Sequence, residues 1–214
     1  MDLVGMNVGK YIIGIDPDVT KQSLAMLVPN SPPLVIYKKV PKAEGCREAE
    51  VLQLARATEV IRKILNIVEG WQLKPETFEV YIEHQNMEQQ KKEKKVNAQD
   101  LTNLAHISGI WSGMVSALLW VPHKQIHIVT ASTWKNSQPK RINQPRTLKA
   151  LGYEYKMMGG KRPYATPTSD MSTVLRYTMD QPNPGDWEDI NDSLGLAVYG
   201  AKEEAKVRRR KIQR

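Results

Sequence analysis

Between Tyr11 and Val40 the chain carries three short apolar runs, and this crowding of strand-length segments ahead of any helix is its strongest fold constraint. Tyr11–Ile15 ends at Asp16-Pro17-Asp18. Proline cannot donate to a ladder and aspartate favours turns, so this run reads as a buried strand stopped by a turn. Ser23–Val28 and Leu34–Val40 follow, separated by the turn cluster Pro29-Asn30-Ser31-Pro32-Pro33. Together the three predict an antiparallel meander. From Glu48 the period changes. Val51, Leu54, Ala55, Thr58, Ile61, Leu65 and Val68 form a helical stripe that Gly70 can close. Phe78–Ile82 predicts a fourth strand ending at Glu83, and Gln125–Val129 a fifth. Between them Asp100 to Trp120 is helical and apolar almost all round, so it is expected to be buried on several sides or to lie in an interface. Short helical patterns begin near Ser132 and Thr147, and Asp189 to Lys206 predicts a last helix with Leu194, Ala197, Val198 and Ala201 on one face. The order implies an α/β fold: a mixed five-stranded sheet, three antiparallel strands and then βαβ units, with helices on both faces.

A length of 214 residues suits one domain with an insertion. The expected domain is 1–205, with the proline-rich insertion at about 152–186, including a short helix around Met171–Tyr177. Residues 206–214 are expected to be a disordered basic tail. Apolar residues at 41% and charged residues at 25% rule out wholesale disorder. No apolar run is long enough to span a membrane, no secretory leader pattern opens the chain, and Cys46 is the single cysteine. A cytoplasmic setting is expected. The net charge is +8, but Lys206 to Arg214 hold six basic residues and no acid, so the rest stands at 25 basic against 23 acidic. Lys135 to Arg162 hold eight more basic residues against Glu154 alone. Cations so concentrated over a nearly neutral body suit a polyanion, most simply nucleic acid.

Carboxylates close three of the regular elements. Asp16 ends the first strand and Glu83 the fourth, while Asp189 and Asp192 lie one turn apart at the start of the last helix. If the first and fourth strands are neighbours, Asp16 and Glu83 meet, and a helix starting nearby adds the other two. Four ionised carboxylates need divalent cations to coexist, and an oxygen-only donor set favours Mg²⁺ or Mn²⁺. Two such ions can activate water and stabilise the leaving oxygen of a phosphodiester. Taken singly, each acid has a plain structural reading as a turn, cap or surface residue. His84, His106, His123 and His127 show no metal-ligand spacing, and Gly159-Gly160-Lys161 lacks the flanking residues of a P-loop, so no nucleotide cofactor is expected.

Ile13-Gly14-Ile15-Asp16-Pro17, Tyr81-Ile82-Glu83-His84-Gln85 and Asp189-Ile190-Asn191-Asp192-Ser193-Leu194-Gly195-Leu196-Ala197 resemble, in that order, segments of the RuvC-type Holliday junction resolvases of the RNase H-like superfamily. The resemblance runs from about residue 10 to about 203. It implies a metal-dependent endonuclease that acts as a homodimer on four-way DNA junctions and makes paired nicks. It also implies that Asp16, Glu83, Asp189 and Asp192 hold two Mg²⁺ or Mn²⁺ ions, with Asp16 bridging them. Lys135 would act near the scissile phosphate, and the 100–120 helix would form the dimer interface. Lys140, Arg141 and Arg146, in a polar proline-containing stretch expected to be a loop, and Lys161 and Arg162 are the further expected DNA contacts. Two departures stand out: Asp18 replaces the usual glycine after Asp-Pro, and Asn86 and Met87 stand where the family often has an aromatic wedge. They fit a divergent, phage-type member, in a bacterial or phage-infected cytoplasm. Two rivals remain: an RNase H-like nuclease of RNA–DNA hybrids or other branched DNA, and a DNA-binding protein without catalysis. Clustered acids disfavour the second, because carboxylates repel phosphate unless metal intervenes.

Overall fold

The computed structural model describes residues 9–43, 49–84, 98–135, 138–159, 163–168, 180 and 182–212. Five strands form the central sheet: β1 (Tyr11–Pro17), β2 (Lys21–Leu27), β3 (Leu34–Lys39), β4 (Phe78–His84) and β5 (Ile126–Thr130). Their spatial order is β3-β2-β1-β4-β5. The first three pair antiparallel, as the meander predicts, whereas β4 and β5 run parallel to β1. The central position of β1 explains its near-continuous apolar run, since both of its faces are covered.

Strand alternation assigns each face. Ile13 and Ile15 of β1, with Leu24, Met26, Ile36, Val80 and Ile82, pack under α1 (Ala49–Glu69) and α2 (Ala98–Leu119). Ile61, Ile64 and Leu65 of α1 and Ile107, Trp111 and Val115 of α2 are buried in that layer. The Trp111 indole donates to Gln22 Oε1 at 2.7 Å, which satisfies both polar groups inside the core. The opposite face, with Ile12, Ala25, Leu27, Val35, Tyr37 and Tyr81, receives Ile190, Leu194, Ala197 and Ala201 of α5 (Trp187–Ile212). Asp16 shares its parity with Ile12, so it belongs to the α5 face. The close fit of α5 depends on Gly14, where a Cβ would stand 2.2 Å from the Ser193 carbonyl oxygen and 2.4 Å from Ala197 N.

Four expectations change. The 140–146 region, expected as a loop, is the first part of helix α4 (Lys140–Ala150), which follows the short helix α3 (Ala131–Lys135). Its polar composition and internal Pro145 conceal it from a periodicity reading. The insertion contains a hairpin, β6 (Tyr155–Met158) with β7 (Tyr164–Pro167), tied to the main body by hydrogen bonds from Asn191 Nδ2 to Ala165 O and from Ala165 N to Gln144 Oε1. The expected disordered tail is helical through Ile212, because α5 continues as Lys and Arg, both good helix formers, extend an already packed helix. Finally, α2 is not apolar all round in space. Its large side chains turn inward, while Thr102, His106, Gly109, Gly113 and Ala117 form the exposed stripe. Met171–Tyr177, Lys161, Arg162, Gln85, Asn86 and Met87 lie outside the described residues. Among those described, no helix is long and apolar enough to cross a membrane.

Candidate active site

The parallel pairing of β1 with β4 aligns Ile15 with Ile82, so the next residues along the two strands, Asp16 and Glu83, are neighbours at the carboxyl end of the sheet. The first two turns of α5 overlie that point, carrying Asp189 and Asp192. Ser23 Oγ of β2 lies 2.8 Å from Ser193 Oγ and fastens the helix there. Burial pushes the Asp16 carboxyl well above the ordinary aspartate range, and the charges of Glu83, Asp192 and Asp189 push it further. Asp16 is therefore the focus of the negative field. Glu83 and Asp192 are themselves buried, at 4% and 2% exposure.

Ammonium groups neutralise this field. Lys135 Nζ lies 2.9 Å from Asp192 Oδ2 and 3.5 Å from Glu83 Oε2. Burial opposes its charge, but Asp192 and Glu83 outweigh burial and hold the ammonium above the usual lysine value. Lys140 Nζ stands 3.1 Å from Asp192 Oδ2 and 2.5 Å from Glu188 Oε1. On the other side, Lys21 Nζ is 2.9 Å from Asp189 Oδ2. Burial raises the Asp189 carboxyl and Lys21 only partly offsets it. The Trp134 indole donates to Glu83 Oε2 at 2.8 Å, and its ring lies against Gly195, where a Cβ would meet it at 2.4 Å. Gln144 Nε2 reaches Asp192 Oδ1 at 3.5 Å and the Glu188 carbonyl at 3.3 Å.

Thus Asp16, Glu83, Asp189, Asp192 and Lys135 share one site, and Lys140 joins them as an ion-pair partner of Asp192. Arg141 and Arg146 are exposed on α4, with Arg146 bonded to Gln138 Oε1. Asp18 turns aside: its Oδ1 accepts from Thr20 N, Thr20 Oγ1 and Lys21 N, closing the turn between β1 and β2. His127 pairs with Glu79 at the other end of the sheet and stacks on Tyr81, consistent with a structural role. Sequence reading missed Lys21 and Gln144. Their acidic partners are distant along the chain, and only the parity of Lys21 with Ser23 on β2 hints at its placement.

The donor set suits a hard divalent cation, being oxygen-rich, with Glu83 and Asp192 buried and Asp16 and Asp189 half-buried. Among the described residues, however, no three acid, histidine or cysteine side chains are gathered into a ready-made metal cage. Lysine ammoniums are the cations that the carboxylates contact in this structure.

No protein-family model matches the chain, and no curated protein matches it in sequence. In fold it is similar to RuvC. One solved structure, Thermus thermophilus RuvC in complex with a Holliday junction substrate, is 14% identical over 92% of this chain and 96% of that one, with a TM-score of 0.50. Another Thermus thermophilus RuvC structure is 13% identical over 88% and 92%, also at 0.50. The yeast mitochondrial Holliday junction resolvase is 10% identical over 94% and 83%, at 0.45. The mixed five-stranded sheet with helices on both faces is the RNase H-like fold of RuvC.

Proposed function

We propose that this protein is a metal-dependent endonuclease that resolves four-way DNA junctions by paired nicks. One observation carries the reading: Asp16, raised first by burial, also feels the charges of Glu83, Asp192 and Asp189, and the Lys135 ammonium contacts both Asp192 and Glu83. The RNase H-like fold, shared with a RuvC bound to a Holliday junction, supports branched DNA as the substrate class.

The four carboxylates would hold Mg²⁺ or Mn²⁺, two ions per site, and such ions activate water and stabilise the leaving oxygen of a phosphodiester. The protein's own groups do the rest. Asp16, on the central strand, cannot move without disturbing both sheet layers, so it provides the fixed point of the site. Trp134 orients Glu83 through its indole N–H. The Lys135 ammonium, its side chain 12% exposed and held between Asp192 and Glu83, would stabilise charge on the cut phosphate. Lys140, Arg141 and Arg146, with Lys161 and Arg162, would bind backbone phosphates rather than bases. A homodimer along the small-residue stripe of α2 would present two such sites to the two equivalent strands of a junction.

The test is cleavage of a labelled mobile junction in Mg²⁺, run beside flap and RNA–DNA hybrid substrates. Paired nicks in the junction are expected. Asp16→Asn should abolish them while leaving junction binding intact, because losing a negative charge does not weaken contact with phosphate. Preferential cutting of the hybrid would move the activity to the RNase H class, and binding without any cutting would leave a non-catalytic DNA-binding protein.

A further inference from the structure

Lys21 lies on β2, on the sheet face that carries Asp16, and its ammonium stands between two acids of different character. Asp189 Oδ2, a candidate metal ligand, is 2.9 Å away, and Asp186 Oδ1 is 3.4 Å away. Asp186 is buried in the short turn that leads into α5, with 5% exposure. Its Oδ2 is committed elsewhere: it accepts from Asn183 N at 2.8 Å and pairs with Lys39 Nζ at 3.0 Å. Burial works against its ionisation, yet Lys39 and the Asn183 amide keep its carboxyl below the ordinary aspartate range. It is a fixed anion.

The same motif recurs on the far side of the site. Lys140 Nζ stands between Asp192, another candidate ligand, and Glu188, which is not one. Each lysine therefore touches one carboxylate of the metal set and one outside it. A dication entering the site repels a nearby ammonium and competes for the same oxygens. An ammonium displaced with no second partner would be left unpaired in a partly buried place, which is unfavourable. The second acid removes that obstacle.

We propose that Lys21 is a tethered counter-ion, a positioning residue that holds Asp189 until a divalent cation takes that carboxylate and then remains paired with Asp186. The exchange needs only a turn of the lysine side chain, because the two acceptor oxygens already flank it. The inference rests on the reading of Asp16, Glu83, Asp189 and Asp192 as a metal site. It makes metal affinity depend on Lys21 and Asp186 in opposite senses.

The experiment is Mn²⁺ binding to the full chain without DNA, read as free Mn²⁺ by electron paramagnetic resonance and checked by calorimetry. Lys21→Met removes the competitor and should tighten binding, on the order of tenfold. Asp186→Asn leaves the competitor without its second partner and should weaken binding by a similar factor. The double variant should behave like Lys21→Met alone, since Asp186 acts only through Lys21. A merely orienting role for Lys21 predicts the reverse sign, and weaker or unchanged Mn²⁺ binding by Lys21→Met would overturn the proposal while the site reading stands. Equal weakening by Asp186→Asn with or without Lys21 would also overturn it, exposing Asp186 as a fold determinant. If the wild-type chain takes up no Mn²⁺, and Asp16→Asn matches it, both the inference and the metal-site reading fail together.

Discussion

Glu79 shows how one residue type serves two ends of the same strand. It lies four residues before Glu83 on the same face of β4, yet its carboxylate meets Lys10 and His127 rather than other acids. Burial alone would raise its pKa. The hydrogen bonds from His127 and Lys10 outweigh burial and hold it below the ordinary glutamate value of about 4.3. A carboxylate so held stabilises the fold at pH values above that ordinary value. The contribution is lost as pH falls through the folded-state pKa, when the native carboxylate also takes up its proton. Glu79→Gln should therefore flatten the acid limb of stability. Urea midpoints followed downward from about pH 6 would show it, with the variant losing less below about pH 4.3 than the wild type. Parallel curves would mean that Glu79 is not a stabilising anion. Asp16 is the opposite case. Its carboxyl is raised rather than lowered, so the site trades stability for charge density.

At the scale of elements, the site is the contact between β1 and α5, and Gly14 controls it. A Cβ there would run into the backbone of α5 at Ser193 and Ala197, which cannot swing away as a side chain can. Gly14→Ala should shift the helix off the strand and cost about 1–3 kcal/mol. Because α5 carries Asp189 and Asp192, the same shift parts them from Asp16. Cleavage should therefore fall by a larger factor than the loss of folded protein explains. Chemical denaturation, together with single-turnover cleavage at a temperature where the variant is fully folded, separates the two effects. A stable but fully active Gly14→Ala would show that α5 has more freedom over the sheet than its packing suggests. The helices of this region also illustrate what periodicity hides. Thr147 and Ser132 mark helical patterns in the sequence, but Lys140 to Arg146 have no apolar stripe. Their helix is held by buried Gln144, Thr147 and Leu148 against α5 and the β6–β7 hairpin.

For the molecule as a whole, assembly turns on α2. Its exposed line of Thr102, His106, Gly109, Gly113 and Ala117 leaves room for another helix, and at Gly109 and Gly113 an added Cβ would meet nothing within 4 Å. If two copies meet there, Gly113→Arg should yield a monomer by light scattering. Its junction products should be single rather than paired nicks, with the fold unchanged by circular dichroism. A wild-type chain that is monomeric at micromolar concentration and still makes paired nicks would remove α2 from the interface. The basic end of α5 belongs to this scale as well. Helical through Ile212, it places its cations on a rod of about 39 Å that starts at the carboxylate site.

Patterning in the sequence marked the five strands of the central sheet, α1, α2, the start of α5 and the acids at their ends, but not the first part of α4 or the β6–β7 hairpin. Period-two and period-3.6 patterns record which side chains face a core, and Asp16, Glu83, Asp189 and Asp192 are conspicuous because each interrupts or opens such a pattern. Tertiary structure alone decided which ends meet. Asp16 and Glu83 converge only because β4 inserts beside β1 in parallel, and Asp189 and Asp192 arrive only because α5 crosses β1 over Gly14. Lys21 was illegible for the same reason, being 168 residues from Asp189, and although the resemblance pointed to Lys135, its pairing with Asp192, 57 residues away, was not legible either. Hydrophobic periodicity reports burial against a face and carries no record of a long-range charge pair, which exists only once topology has brought its two elements together.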